Sequence, residues 1–260
     1  MSLQISFKNS RGLTLVGTLW QASSDCIIIM VHGSDGNKLA NGLFPKIALA
    51  LQEENYNVLT FDFSGHGESD DDIFSLKKSI DDLLSAIEYA TSHGYKKIIL
   101  FGHSFGALTC LEALALRSEA SRRVRLSSIK TMILLGGMTG PVHWKWEDFC
   151  SPDELKIIQN NGYAITEVND DFRKIVKSDI GILDELAQVD QEKIMSTINC
   201  PVLLIHGDAD QLESGFLELS KKALLLLPKE SELKIIPGAS HTFLDKIAEI
   251  ITLTKTWLKT

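Results

Sequence analysis

Short β-branched, apolar runs alternate with longer segments of helical periodicity along most of the chain, and this alternation most narrows what it can fold into. The runs lie at 27–31, 58–61, 97–101, 131–135, 202–206 and 233–236. Their near-continuous hydrophobicity predicts strands buried on both faces, as in a parallel sheet covered by helices. Two earlier segments, 3–8 and 13–19, flank Asn9-Ser10-Arg11-Gly12 and predict an antiparallel hairpin at one edge. Apolar residues three and four apart predict helices over about 43–54, 76–92, 105–117, 213–227 and 241–258. The expected fold class is therefore α/β: an eight-stranded, mostly parallel sheet with helices on both faces.

One stretch interrupts the pattern. Residues 137–195, after the sixth strand, contain no strong strand signal but do contain Trp144, Trp146, Phe149, Tyr163 and Phe172. So long a connection inside a compact domain is usually functional, often a lid. The expected division is a core of residues 1–136 and 196–260 carrying a cap of residues 137–195. Within 141–193, six Lys and Arg face twelve Asp and Glu, a net of −6 out of −8 for the 260-residue chain. That acidity excludes nucleic acid as the default partner, because phosphate binding needs concentrated positive charge. The short Arg122-Arg123-Arg125 cluster reads as a solvated loop. No signal-peptide pattern opens the chain and no run of 18 apolar residues occurs, so a soluble, cytoplasmic monomer or homodimer is expected. Cys26, Cys110, Cys150 and Cys200 form no CxxC, and no histidine pair has metal-ligand spacing; neither metal nor organic cofactor is expected.

The chemistry centres on Gly102-His103-Ser104-Phe105-Gly106, between the strand KKIILF and the helical ALTCLEALAL. A serine hydroxyl at its ordinary pKa is a poor nucleophile. It must be held clear of the backbone, beside a base and beside donors for the oxyanion. A sharp strand-to-helix turn with glycines two residues either side achieves this. Two more motifs lie upstream in order: His32-Gly33-Ser34 after one strand, and Asp62-Phe63-Ser64-Gly65-His66-Gly67-Glu68-Ser69 after the next.

With these three motifs in order, the chain resembles the α/β-hydrolase family over essentially its full length. It is most similar to the single-chain esterase, acyl-hydrolase and serine-aminopeptidase-like branch. The resemblance implies the α/β-hydrolase fold and the chain order Ser, acid, His. It makes Ser104 the nucleophile and puts the acid after VLLIHG and the base after KIIPGAS. Asp210, three residues after Gly207, is the preferred acid, with Asp208 as the second candidate. His241, the only histidine downstream, is the base. The remaining histidines read as turn, loop or surface residues. The resemblance also implies an oxyanion hole made by the backbone N–H groups of Phe105 and Ser34. Trp144, Trp146 and Phe149 are candidates to line an acyl or aryl pocket, or else to pack the cap on the core.

The expected activity is a serine hydrolase that cleaves small to medium carboxylic esters through an acyl-enzyme. The alternatives are a thioesterase or small-peptide hydrolase on the same triad, and a non-catalytic hydrolase-shaped binding scaffold. The expected partner is a small-molecule ester.

Overall fold

A computed structural model describes residues 2–115 and 126–259. The hairpin of β1 (Ser2–Lys8) and β2 (Thr14–Trp20) pairs Ser2 with Trp20 through to Lys8 with Thr14. It is followed by β3 (Cys26–Val31), α1 (Leu43–Glu53), β4 (Asn57–Phe61), α2 (Leu76–Ser92), β5 (Lys97–His103), α3 (Phe105–Ala115) and β6 (Ile129–Leu135). After an insertion the chain resumes with β9 (Val202–Gly207), α7 (Gln211–Leu224), β10 (Glu232–Ile236) and α8 (Ile247–Trp257).

The main sheet has eight strands in the order β1-β2-β4-β3-β5-β6-β9-β10. Strand β2 runs antiparallel to both its neighbours, and every other pair is parallel. Successive side chains of a strand point to opposite faces, and β3 shows the result. Ile27, Ile29 and Val31 join the cluster under α2 and α3, while Ile28 and Met30 join the one under α1 and α8. All five are fully buried, each contributing roughly 1.5–3 kcal/mol of apolar transfer.

Helix α1 leaves β3 toward one face, and α3 leaves β5 toward the other. The sheet order β4-β3-β5 makes this the point where the winding reverses. The loops after β3 and β5 therefore diverge and open a crevice at the strands' carboxyl ends. Ser104 is the residue after β5.

The insertion departs from expectation. Besides α4 (Pro152–Asn161), α5 (Ile182–Ala187) and α6 (Gln191–Thr197), it contains an antiparallel hairpin of β7 (Tyr163–Glu167) and β8 (Ile175–Asp179). Each strand has five residues and buries only one, Ala164 and Val176, so its alternation is too short to stand out. Docking supplies what local pattern does not. Phe74 N donates to Lys177 O at 2.7 Å, Asp179 N donates to Phe74 O at 2.8 Å, and Arg173 pairs with Asp71 at 2.7 Å.

Helix α7 begins at Gln211 rather than 213, because Asp210 caps it by accepting from Glu213 N. Helix α8 begins at Ile247 rather than 241, because Phe243 takes a φ of 55° in the preceding turn. The arginine cluster at 122–125 and the end of the helix expected over 105–117 lie outside the described residues. Among the described residues, no helix is long and apolar enough to cross a membrane.

Candidate active site

Ser104 sits on the turn between β5 and α3 with φ of 56°, a conformation non-glycine residues rarely adopt. Three hydrogen bonds hold it there: Ser104 N donates to Leu135 O at 3.0 Å, and Ser104 O accepts from Ala107 N at 3.0 Å and Met138 N at 3.3 Å. The crossing is so tight that a Cβ on Gly106 would lie 2.2 Å from the Val31 carbonyl oxygen. Glycine is the one residue that fits there.

The Ser104 hydroxyl lies 2.9 Å from Nε2 of His241, in the loop after β10. Hydroxyl and imidazole are thus within proton-transfer reach. On the far side of the ring, Nδ1 of His241 lies 2.5 Å from Oε1 of Glu213.

This corrects the expected acid. Asp210 is three residues from Glu213, but its carboxylate faces backbone rather than imidazole. Oδ1 accepts from Glu213 N at 2.8 Å and Oδ2 from His241 N at 2.7 Å. Asp210 thereby ties the start of α7 to the His241 loop, and both its oxygens are occupied in doing so. Asp208, the second candidate, accepts from Gly238 N at 2.7 Å and likewise serves the turn. Glu213 is fully buried, in the first turn of a helix whose buried face is Glu213, Phe216, Leu217, Ser220 and Ala223. A carboxylate heading a mostly apolar three-and-four stripe was the sequence signal for it.

Burial alone would push the Glu213 carboxyl upward, but hydrogen bonds from His206, His241 and Gly207 N outweigh it and bring the pKa down to about 2. His103, next to Ser104, donates from Nε2 to the His241 carbonyl at 3.0 Å. Burial, reinforced by the neighbouring His241, lowers its pKa to about 4, so it stays neutral.

The turn after β3 is fixed from two sides by histidines whose expected places were simply a turn and a loop. His32 Nδ1 donates to Gly33 O at 2.7 Å, and His66 Nε2 donates to Ser34 O at 2.7 Å. Phe63 N donates to the other His32 nitrogen at 3.1 Å, which sets the tautomer. Burial lowers the pKa of both imidazoles. In a trans peptide, C=O and N–H point opposite ways. Pinning the Gly33 carbonyl therefore aims the Ser34 N–H away from His32. Phe105 opens α3, where the first backbone N–H groups have no partner within the helix.

A cavity of about 410 Å³ contains Gly33, Ser34, Ser104 and His241 on its wall. It shares Trp144, Phe149, Leu212 and Phe216 with an apolar cavity of about 650 Å³ lined by Pro141, Val142 and Leu219. No Lys or Arg lines either among the described residues. Trp144 and Phe149 thus lie where a pocket was expected. Trp146 does not: its indole N–H donates to Ile180 O at 2.8 Å, and its ring packs against the core.

Residues 22–246 match the Hydrolase_4 family, described as serine aminopeptidase, S33. The chain belongs to this family. The uncharacterized protein YfhR of Salmonella typhimurium is 27% identical over 222 residues, 82% of this chain and 63% of the relative. The chain thus spans somewhat under two thirds of the curated relatives it matches. Among solved structures of this fold, Est1E from Butyrivibrio proteoclasticus with bound ferulic acid superposes with a TM-score of 0.75 at 21% identity, covering 98% of this chain and 97% of that one. The Pyrococcus furiosus esterase Pf2001 superposes at 0.69 with 19% identity, covering 100% and 90%. The family match and these superpositions agree on the α/β-hydrolase fold.

Proposed function

We propose that the protein is a serine hydrolase that cleaves neutral carboxylic esters bearing an apolar acyl or aryl group. The observation that carries this is the unbroken hydrogen-bonded line from Ser104 Oγ through His241 to Glu213, opening into a cavity that shares its Trp144, Phe149, Leu212 and Phe216 wall with an apolar one. Ser104 attacks the ester carbonyl while His241 Nε2 takes its proton. Glu213, ionised and anchored, keeps the proton of His241 on Nδ1 and stabilises the imidazolium that forms. The Ser34 and Phe105 N–H groups receive the oxyanion. His241 then returns the proton to the departing alcohol, leaving an acyl-enzyme on Ser104. Water, activated by the same imidazole, hydrolyses that intermediate and regenerates the hydroxyl.

In this reading residues 137–195 act as a cap, with Trp144 and Phe149 forming the wall that faces the substrate. The lack of a lining Lys or Arg favours an uncharged ester over a phosphate-bearing thioester, because no cation waits to pair with the anion. That Est1E binds ferulic acid and Pf2001 is an esterase agrees with this choice.

The test is hydrolysis of p-nitrophenyl esters from acetate to octanoate by purified protein. Turnover should rise with chain length and fall by about 10⁶ in Ser104→Ala, the scale seen when a catalytic serine is removed. Retention of a tenth of the wild-type turnover by clean Ser104→Ala protein would defeat the proposal.

A further inference from the structure

Glu213 spends only one of its oxygens on His241. The other, Oε2, lies 3.0 Å from Nδ1 of His206 and accepts from Gly207 N at 2.9 Å. Beyond it, His206 Nε2 lies 2.8 Å from Ser220 Oγ, which lies 3.0 Å from Thr139 Oγ. His206, Glu213 and Ser220 are fully buried, and Thr139 is nearly so.

The proton positions follow from the donor inventory. An ionised carboxylate can only accept, so the Nδ1 facing Glu213 carries a hydrogen. When His206 is neutral, Nε2 then accepts from the Ser220 hydroxyl, and Ser220 accepts from Thr139. Every donor in this line points toward Glu213, as do His241 Nδ1–H and Gly207 N–H from the other sides.

Such an anchor answers a specific difficulty. A glutamate reaching from the first turn of a helix has one more rotatable bond than an aspartate. Its terminal torsion is broad and roughly two-fold, so packing alone would leave the carboxylate plane loosely set. Two N–H donors on Oε2 fix that plane and direct Oε1 at His241.

We propose that His206 is a positioning residue for the hydrolysis: its Nδ1–H locks the rotamer of Glu213 and, through it, the orientation of the catalytic imidazole. This rests on the Ser104, His241 and Glu213 reading given above. His206 touches neither substrate nor Ser104 and acts only through the carboxylate.

The experiment compares His206→Asn with His206→Leu. The Asn amide nitrogen can occupy the place of Nδ1 and keep the donor, whereas Leu keeps bulk without it. The first readout is the second-order rate of labelling by a fluorophosphonate, measured per folded protein by circular dichroism and mass spectrometry. The second is kcat and KM for p-nitrophenyl butyrate. Loss of a hydrogen bond to a charged group predicts about a 10- to 100-fold fall in labelling rate and kcat for His206→Leu, with KM unchanged. His206→Asn should retain most of the rate.

A His206→Leu protein that labels at the wild-type rate would overturn the proposal, as would folded His206→Asn protein as slow as the Leu variant. Should the Leu variant fail to fold, ¹⁵N NMR of wild-type protein at pH 8 decides: a protonated Nδ1 on His206 supports the anchor, and a bare Nδ1 overturns it. Wild-type protein that does not label on Ser104 would instead strike at the underlying hydrolase reading, so the two failures are distinguishable.

Discussion

Replacing Glu213 with glutamine removes one charge and almost no volume, yet the geometry predicts a collapse of activity. An amide has one oxygen where the carboxylate has two. Oε2 of Glu213 meets two N–H donors, from His206 and Gly207, whereas Oε1 meets one, from His241. The amide oxygen should therefore settle on the two-donor side and turn its NH₂ toward His241 Nδ1. Nδ1 must then become the acceptor, which forces the imidazole proton onto Nε2. An Nε2–H cannot take the Ser104 proton. The corresponding carboxylate-to-amide change in the Ser-His-Asp template costs about 10⁴ in kcat, roughly 5 kcal/mol, and we expect that scale for Glu213→Gln.

Asp210→Asn is the internal control. It weakens one of two bonds to backbone N–H groups, so it should cost about 1–2 kcal/mol of stability and no more than about tenfold in kcat. Both variants would be assayed with p-nitrophenyl butyrate, with folded fraction checked by circular dichroism. An Asp210→Asn loss near 10⁴ beside a Glu213→Gln enzyme retaining more than a tenth of its turnover would restore Asp210 as the acid.

Three further outcomes follow from the same geometry. Trp144→Ala opens the wall shared by the two cavities and should raise KM for p-nitrophenyl octanoate about tenfold while leaving the acetate ester nearly unchanged, the scale of lost aromatic burial; equal effects on both esters would remove Trp144 from the acyl path. Gly106→Ala drives a methyl into two backbone carbonyls and should lower the urea unfolding free energy by about 3 kcal/mol or more, against which an unchanged midpoint would count. His32, His66 and His103 have folded pKa values below the ordinary 6.5, so as pH falls the unfolded chain takes up protons that the folded one refuses. Stability should therefore be full above pH 6.5 and decline through the window down to about pH 4, with His103 alone accounting for about 3 kcal/mol; identical urea midpoints at pH 8 and pH 4.5 would contradict it.

The sheet was legible because its strands bury both faces and so leave unbroken apolar runs. The β-branched run Ile27 to Ile29 marks one such strand, and the strand-turn-helix context of Ser104 located the elbow. The hairpin of β7 and β8 was hidden because its two strands bury one residue each and are held by Phe74 and Asp71 from elsewhere in the chain. The carboxylate partner of the imidazole was hidden for a related reason. The spacing of Asp210 from Gly207 locates the turn correctly, but which carboxylate faces the imidazole depends on side-chain direction at the start of α7. There Asp210 is used as the helix cap and Glu213 points inward. Trp144 and Trp146 stand two apart in the chain, yet one faces the cavity and the other donates to Ile180 O. Composition cannot separate such a pair.

Activation of Ser104 as a nucleophile can be tested without guessing a substrate. Wild-type and Ser104→Ala protein would be treated with a fluorophosphonate, digested and examined by mass spectrometry. One adduct per chain on the Ser104 peptide and none in the variant is the expected result; folded wild-type protein that stays unlabelled, or a variant that labels as fully as wild type, would overturn Ser104 as the nucleophile.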